Sequence, residues 1–483
     1  MSKANVKLRW IGALCGSLGG CMVGPNYHRP TVPVAPQYKE LPGWTAAAPA
    51  DGAPKGDWWT DFHDPLLDQL EPMVAMSNQT VRQDYENYQQ ALAEVRVARA
   101  QLFPTIGLNA SVTRQGGPGY PANGASTGTS THAVTPINSA TLEATAGWTL
   151  DLWGQVRRLI EENSAIAQAD EATFANATLS EQTLLATTLI ELRIADANID
   201  LEHKTVEAYR DALRVTQAQG SAGIAATPPS AVITAQVALE SAQSTLIGLG
   251  VARAQYAHAI AVLVGKNPED LDIAHSADMP ALPTVPVGVP STSLQRRPDI
   301  AAAERTMKAQ NAAVGIAVAA YYPTISLSAA AGFTQSPLDG LLRTANHVWS
   351  IGAAGTETVF DFGERHAEVR AAKAAYEAAV ANYRNTVLNA FADVENDLSG
   401  LRILADQAQA LDTAVHDAIR GTQIALAEYQ AGTVDYTTVA VAQETQLSDQ
   451  QTALSIEESR LVDAVSLIGD LGGSWSDSQL HNP

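Results

Sequence analysis

Catalytic signatures are what this 483-residue sequence most plainly lacks. Its ten histidines form no HExxH pair, and two cysteines cannot build a CxxC or Cys/His zinc cluster. No GxxxxGK phosphate loop and no GxSxG elbow occurs. Adjacent Glu457 and Glu458 fall on different helix faces and cannot serve as an acid/base pair. Basic residues are also short, 30 Lys and Arg against 51 Asp and Glu. The net charge of −21 excludes nucleic acid as a partner, since phosphate binding needs a basic face. The acidity is spread along the chain, which reads either as solvated helix surface or as an acidic lumen that discourages anions. Aromatics make up only 6% while hydrophobic residues, largely Ala, reach 46%, a balance suited to long interlocked helices. No apolar helical run of 18 residues is expected, so entry into a bilayer would have to use β-structure.

What the sequence has is a long internal repeat. VRVARAQLFPTIGL around Pro104 returns as VGIAVAAYYPTISL around Pro323. Each copy runs through alternating residues and a short acidic turn into an Ala-rich helical pattern. The turns are Leu150-Asp151-Leu152-Trp153-Gly154 and Phe360-Asp361-Phe362-Gly363. An offset of 209 carries Gly363 onto Gly154, Val394 onto Leu185, Val415 onto Val206 and Gly432 onto Gly223. The chain therefore divides into two similar halves, residues 58–290 and 291–483.

The first 20 residues read as an export leader. Lys3, Lys7 and Arg9 precede a short apolar stretch from Trp10 to Leu18, and Leu18-Gly19-Gly20 leads to Cys21. This resembles a bacterial lipoprotein signal, in which Cys21 becomes the lipidated first residue; a plain secretory leader with an incidental cysteine is the other reading. Cleavage would remove Cys15 and exclude any disulfide within the mature chain. Residues 21–57 follow as a Pro-rich tether, expected to be extended rather than packed.

Four alternating stretches decide the membrane question. They are expected as strands at about 105–115, 141–150, 324–334 and 349–360, with the second blurred at Trp148 and the last weakened by Gly352, Gly355 and Glu357. Each has the length of a tilted membrane strand. Four strands cannot close a barrel, because outer-membrane barrels begin at about eight. Several copies must then share one barrel, unless the stretches are exposed hairpins of a soluble protein, a form that invites aggregation.

Helices are expected at about 80–102, 154–219, 230–264 and 437–468. Val380, Val387, Val394, Leu401, Ala408 and Val415 recur every seven residues, as do Leu185, Leu192, Ile199, Val206 and Leu213. A row from Tyr376 and Tyr383 to Ala418 is broken only by Asp397. Such repeats mark coiled-coil packing, and the longer helices would reach about 100 Å. Gly223 and Gly432 are candidate C-terminal caps. Plain coiled-coil scaffolding remains open from periodicity alone.

LQRRPDIAAAER, CMVGPNYHRP, FPTIGL, LDLWGQVRR, FDFGERHAEVRAA, YQAGTVDYTTVAVAQ and IGDLGGSW, in that order-rich set, resemble the outer-membrane efflux protein family. The resemblance is to its lipoprotein branch, which partners resistance-nodulation-division pumps, and it spans nearly the whole chain. It implies a mainly α fold with a membrane β part: a homotrimer whose four strands per protomer close a twelve-stranded barrel continuous with a coiled-coil helical tunnel. It implies a periplasmic adaptor protein, an inner-membrane pump and outer-membrane lipid as partners, no cofactor beyond covalent lipid on Cys21, and a passive exit duct. Pro104 and Pro323 would mark helix-to-strand entry, and Asp151 and Asp361 strand-to-helix return. Arg296, Arg297, Pro298 and Asp299 would open a helix as a structural motif. Gly220, Gly223, Tyr429, Gly432, Asp435 and Tyr436 would form the tip that closes the aperture and meets the adaptor. Val441 stands where relatives often carry an acid, and the first tip, with Pro228 and Pro229, is longer by two residues; both departures unsettle the gate. A duct for protein secretion and a non-conducting coiled-coil lipoprotein or adhesin are the alternatives.

Overall fold

Helix α1 (Pro65–Ser77) begins where Asp64 accepts from the Leu66 and Leu67 amides at 2.8 and 3.1 Å, with Pro65 in the first turn. The computed structural model describes residues 22–31, 37–40, 57–116, 137–222, 229–284, 296–335 and 340–483; Cys21, Gly223 and Pro228 lie outside them. Asn78 ends α1 and caps α2 (Gln79–Ala100) through the Thr80 and Val81 amides. Helix α2 stops two residues earlier than expected because Gln101 to Phe103 form a turn ahead of Pro104. Strands β1 (Thr105–Gln115) and β2 (Ile137–Leu150) follow, then α3 (Gln155–Ser221) and α4 (Pro229–Leu263). The second half repeats the series: α5 (Pro298–Ala319), β3 (Thr324–Gln335), β4 (His347–Thr356), α6 (Glu364–Gln430) and α7 (Tyr436–Asp470).

The repeat holds to the residue. Helices α3 and α6 are both 67 residues long and related by 209; α4 and α7 are both 35 and related by 207. Helix α2 maps onto α5, and β1 onto β3, by 219. The hairpin pair Thr105↔Gly147 accordingly reappears as Thr324↔Thr356. Loop length absorbs each change of offset: 21 residues join β1 to β2 but 11 join β3 to β4, and the tips between long and returning helices hold seven and five. Both long helices start at a glycine with positive φ, Gly154 at 82° and Gly363 at 88°, a conformation L side chains resist. Asp151 accepts from the Val156 and Arg157 amides, and Asp361 from the Gly363 amide, so each acid satisfies donors that helix geometry leaves open.

The strands form one antiparallel sheet in the order β1-β2-β3-β4. Its pairings carry Ile106, Leu108, Ala110 and Val112 alongside Ala146, Ala144, Leu142 and Ala140, then Ala329, Ala331 and Phe333, then Ile351 and Trp349, all on one face. The other face bears Asn109, Ser111, Thr141, Thr145, Ser326 and Ser328, with Glu143 its only charged side chain among the described strand residues. Three expectations need correction. Strand β2 starts at Ile137, and its register passes Trp148 without a break, opposite Leu327. Strand β4 covers 347–356 rather than 349–360, because beyond Thr356 it has no neighbour to pair with and Glu357 turns to Arg365 at 3.0 Å. Finally, α4 does contain an 18-residue window apolar and long enough to cross a membrane. Its Ala, Val, Ile and Leu content serves helix packing, since α4 runs alongside α3.

The segment after Cys21 is extended but packed. Val23 donates to the Trp153 carbonyl at 3.0 Å, and fully buried Arg158 donates to the carbonyls of Val23 and Gly24 and to Asn26. Tyr27 bonds Glu304, Arg29 donates to Tyr383, and the amides of Lys39 and Glu40 donate to Glu395. A strap thus runs from the sheet–helix junction along α3, α5 and α6. A Cβ on Gly24 would lie 2.5 Å from the Gly315 Cα, so only glycine permits that crossing.

At mid-height Trp58, Phe62, Leu70, Leu185, Leu189, Ile190 and Val465 make the main core. The heptad rows find their partners: Leu185, Leu192, Val206, Val380, Val387 and Val394 are all buried. Arg297 precedes Pro298 at the start of α5 and grips Asp299 with Nε and Nη2, while Nη1 holds Asp470 Oδ1 at 2.9 Å. Asp397, the break in the heptad row, is pushed up to about 8 by burial and then by Asp470, with Asp463 and Asp393 adding to the repulsion. An acid with a raised folded pKa holds its proton more tightly when native, so stability falls as pH rises between about 4 and 8. The thermal midpoint of the detergent-solubilised protein should drop across that range, and Asp397→Asn should flatten the slope; an unchanged slope would place the proton elsewhere.

Candidate aperture at the helical tips

Helix α6 ends at Gly432, whose φ of 74° lets its amide reach the Tyr429 carbonyl while Thr433 N–H bonds Glu428. Four residues on, Asp435 caps α7 through the Thr438 amide at 3.2 Å and also takes the Thr437 hydroxyl. Those bonds, the Thr437 hydroxyl foremost, hold the Asp435 carboxyl below its ordinary range. The tight turn delivers Tyr429 and Tyr436 to one buried spot, edge to face with centroids 5.7 Å apart. Tyr429 Oη shares a 3.1 Å hydrogen bond with Thr216 Oγ1 on α3, and Gln219 Nε2 donates to the Tyr429 carbonyl at 3.3 Å. The last turn of the second long helix is therefore tied to the last turn of the first.

Beneath this tie lies a polar groove of about 540 Å³ lined by Glu202, Tyr209, Tyr436, Gln443 and Glu444. Tyr436 Oη, Gln443 Oε1 and Glu202 Oε2 are buried there without a hydrogen-bond partner among the described residues. Burial, with Tyr209 and Tyr429 nearby, pushes Tyr436 up to about 12, and burial raises Glu202. This hydroxyl- and carboxylate-rich space suits water, and it separates α4 from α7 along the outside of α3.

Among the sequence candidates, Tyr429, Gly432, Asp435 and Tyr436 come together, and Gly220 lies one turn beyond Thr216 in α3. Gly223 falls outside the described residues. Val441 is exposed on α7. Pro104 and Pro323 sit between helix and strand, Asp151 and Asp361 head the long helices, and the Arg297–Asp299 pair opens α5. Arg296 immediately precedes that pair, and its carbonyl lies where a Cβ on Gly472 would collide. Sequence reasoning missed Thr216, Glu202 and Tyr209. The signal was present: Thr188, Ala195, Glu202, Tyr209 and Thr216 form a second seven-residue row on α3 that turns polar toward the tip. Tyr429 likewise continues the Val380 row.

The family model described as outer membrane efflux protein matches residues 73–266 and 289–473. The toluene efflux pump outer membrane protein TtgC of Pseudomonas putida is 31% identical over 460 residues, 95% of this chain and 93% of that protein. The cation efflux system protein CusC of Escherichia coli is 26% identical over 468 residues, 95% and 97%. Of solved structures, the outer-membrane channel OprN superposes with a TM-score of 0.86 at 28% identity, over 94% of this chain and 99% of OprN.

Tyr429→Phe deletes the Thr216 bond and leaves the ring packing in place. One such bond contributes about 1 kcal/mol, so hydrogen exchange at the α6 terminus should quicken about fivefold while the mid-height core is unaffected. Unchanged exchange at the tip would mean that the ring stacking alone holds it.

Proposed function

Because this chain belongs to the outer membrane efflux protein family, we propose that three copies close one twelve-stranded barrel and form the passive exit duct of a tripartite pump. The open sheet carries the proposal: its two edge strands each lack a partner on one side, and its apolar face is exposed along β1 and β4. In lipid such edges must be paired, and further copies supply the pairing. An inner-membrane resistance-nodulation-division transporter would power export, and a periplasmic adaptor would join it to the helical tips. Relatives named as efflux pump components favour this over a protein-secretion exporter.

The names of those relatives differ in cargo, toluene for one and cations for another, at similar coverage. Substrate choice therefore belongs upstream, with the pump, and the duct supplies a sealed aqueous path. Tyr429, Tyr436, Asp435, Gly432 and Gly220, together with Gly223, form the closing tip in this reading, and their surroundings receive the adaptor. Cys21 carries lipid: Met22 packs against Gly154 at the sheet–helix junction, which brings the preceding residue to the membrane boundary.

Reconstituted into planar bilayers, the protein should conduct in small, mostly closed events. Asp435→Ala removes the α7 cap and should raise the open fraction; unchanged currents would take Asp435 out of the gate. A clickable palmitate analogue should label the wild type, and Cys21→Ala should lose the label while keeping its conductance. An unlabelled wild type would refute the lipid anchor without touching the duct.

A further inference from the structure

We propose that the surface this chain offers to the next copy repeats the surface that joins its own two halves, which fixes the strand register and an aromatic contact at the seam between copies. The inference rests on the shared-barrel reading and adds its geometry. Inside one chain the first half meets the second along one side. Strand β2 pairs with β3, α3 packs on α5 and α7, and Trp153 stacks on Tyr322 at 4.8 Å while its Nε1 donates to the Pro323 carbonyl at 2.8 Å. The matching side of the second half is bare.

Because the offsets hold without slippage, that internal joint can be carried over residue by residue. Strand β2 becomes β4 by adding 209, and β3 becomes β1 of the next copy by subtracting 219. Leu150↔Ile325 then becomes Val359 opposite Ile106 of the next copy. Ala146↔Ala329 becomes Gly355 opposite Ala110, and Ala144↔Ala331 becomes Ala353 opposite Val112. Every one of these joins apolar face to apolar face. Val359 and Ile106 are 91% and 80% exposed in the single chain, as residues waiting for a neighbour would be. Glu357 lands opposite Leu108 at the helix-side end of the strand, where Arg365 keeps its charge paired. Strand β4, cut short at Thr356, gains its missing turns of ladder as far as Val359.

The aromatic joint transfers in the same way. Trp153 becomes Phe362 and Tyr322 becomes Phe103, which are 92% and 67% exposed. Phe362 also holds a positive φ of 51°, unusual for an aromatic and oriented by the same turn that feeds α6. Farther down, α7 lying on α3 becomes α4 lying on α6 of the adjoining copy, which covers Ile233, Val237, Ile247 and Val251. Two bonds do not transfer. Phe362 has no N–H to give, and Tyr429–Thr216 becomes Gly220 beside Ala425. The seam between copies is therefore the plainer of the two joints, and it parts before the tie within a copy.

Two adjacent cysteine pairs test the register: Ala353→Cys with Val112→Cys, and Ala354→Cys with Ser111→Cys. Neighbouring antiparallel pairs alternate between wide and close Cα spacing, and the closer one suits a disulfide, so at least one pair must oxidise. The expected result is covalent trimer on denaturing gels from the matched pairs, with none from Ile351→Cys with Val112→Cys, from the single variants or from Cys21 alone. Crosslinking of the slipped pair, or of none in particles whose native mass is three chains, overturns the register. A native mass of one chain would instead remove the shared barrel on which the register depends.

Discussion

Backbone hydrogen bonding in hydrocarbon is the constraint on which the rest of this molecule depends. Water forgives an unpaired N–H or C=O; lipid does not. Four strands satisfy their inner neighbours and leave two edges open, so a single chain is an incomplete membrane object. Association is then a condition of insertion rather than an addition to it. The helical part inherits this demand. Each pair of strands hands over directly to a helix at an Asp-containing turn, so whatever closes the sheet also sets the helices side by side.

Helices about 100 Å long, on the rise of 1.5 Å per residue, need closely packed seams along their whole length. Scarce aromatics and abundant Ala meet that need, since small side chains let helices approach and heptad rows keep the same stripe in contact. Polar residues inside those rows mark places where packing is given up for something else. Asp397 breaks one row at mid-height beside the Arg297 cluster, and Glu202, Tyr209 and Thr216 turn another row polar on its way to the tip. The first break ties the α5 entrance to the end of α7. The second leaves an unfilled groove under the one hydrogen-bonded tie between long helices, which is where a structure that must open can tolerate loose packing.

Much of this was legible beforehand because a duplicated sequence reports its own geometry. Periodicity located the strands, the long helices and both tips, and the offset located the two-residue difference between tips. The remaining features depend on neighbours that a linear pattern does not contain. Strand β4 ends early for want of a partner, not for want of β-forming residues. The strap packs because Arg158 is buried and needs its carbonyls, a demand invisible in a Pro-rich tract. Helix α4 reads as a membrane span on composition since an Ala-rich packing face and a lipid face share their hydropathy. Thr216 was overlooked because a threonine has no reason to stand out until a tyrosine from the other half reaches it.

Duplication also explains how the aperture can be both closed and openable. Six equivalent ties would follow from two identical halves in a three-copy duct, but Tyr429 has Gly220 as its repeat counterpart and Tyr436 has Pro229, so only three ties remain. At about 1 kcal/mol for each hydrogen bond, three together favour closure by about 3 kcal/mol, roughly 150-fold. That bias keeps a resting outer membrane sealed against most leakage. It is also small enough for a partner that binds the open tip a few hundredfold more tightly to reverse. Losing the tie from one half of the repeat thus converts a rigid ring into one whose state another protein can set.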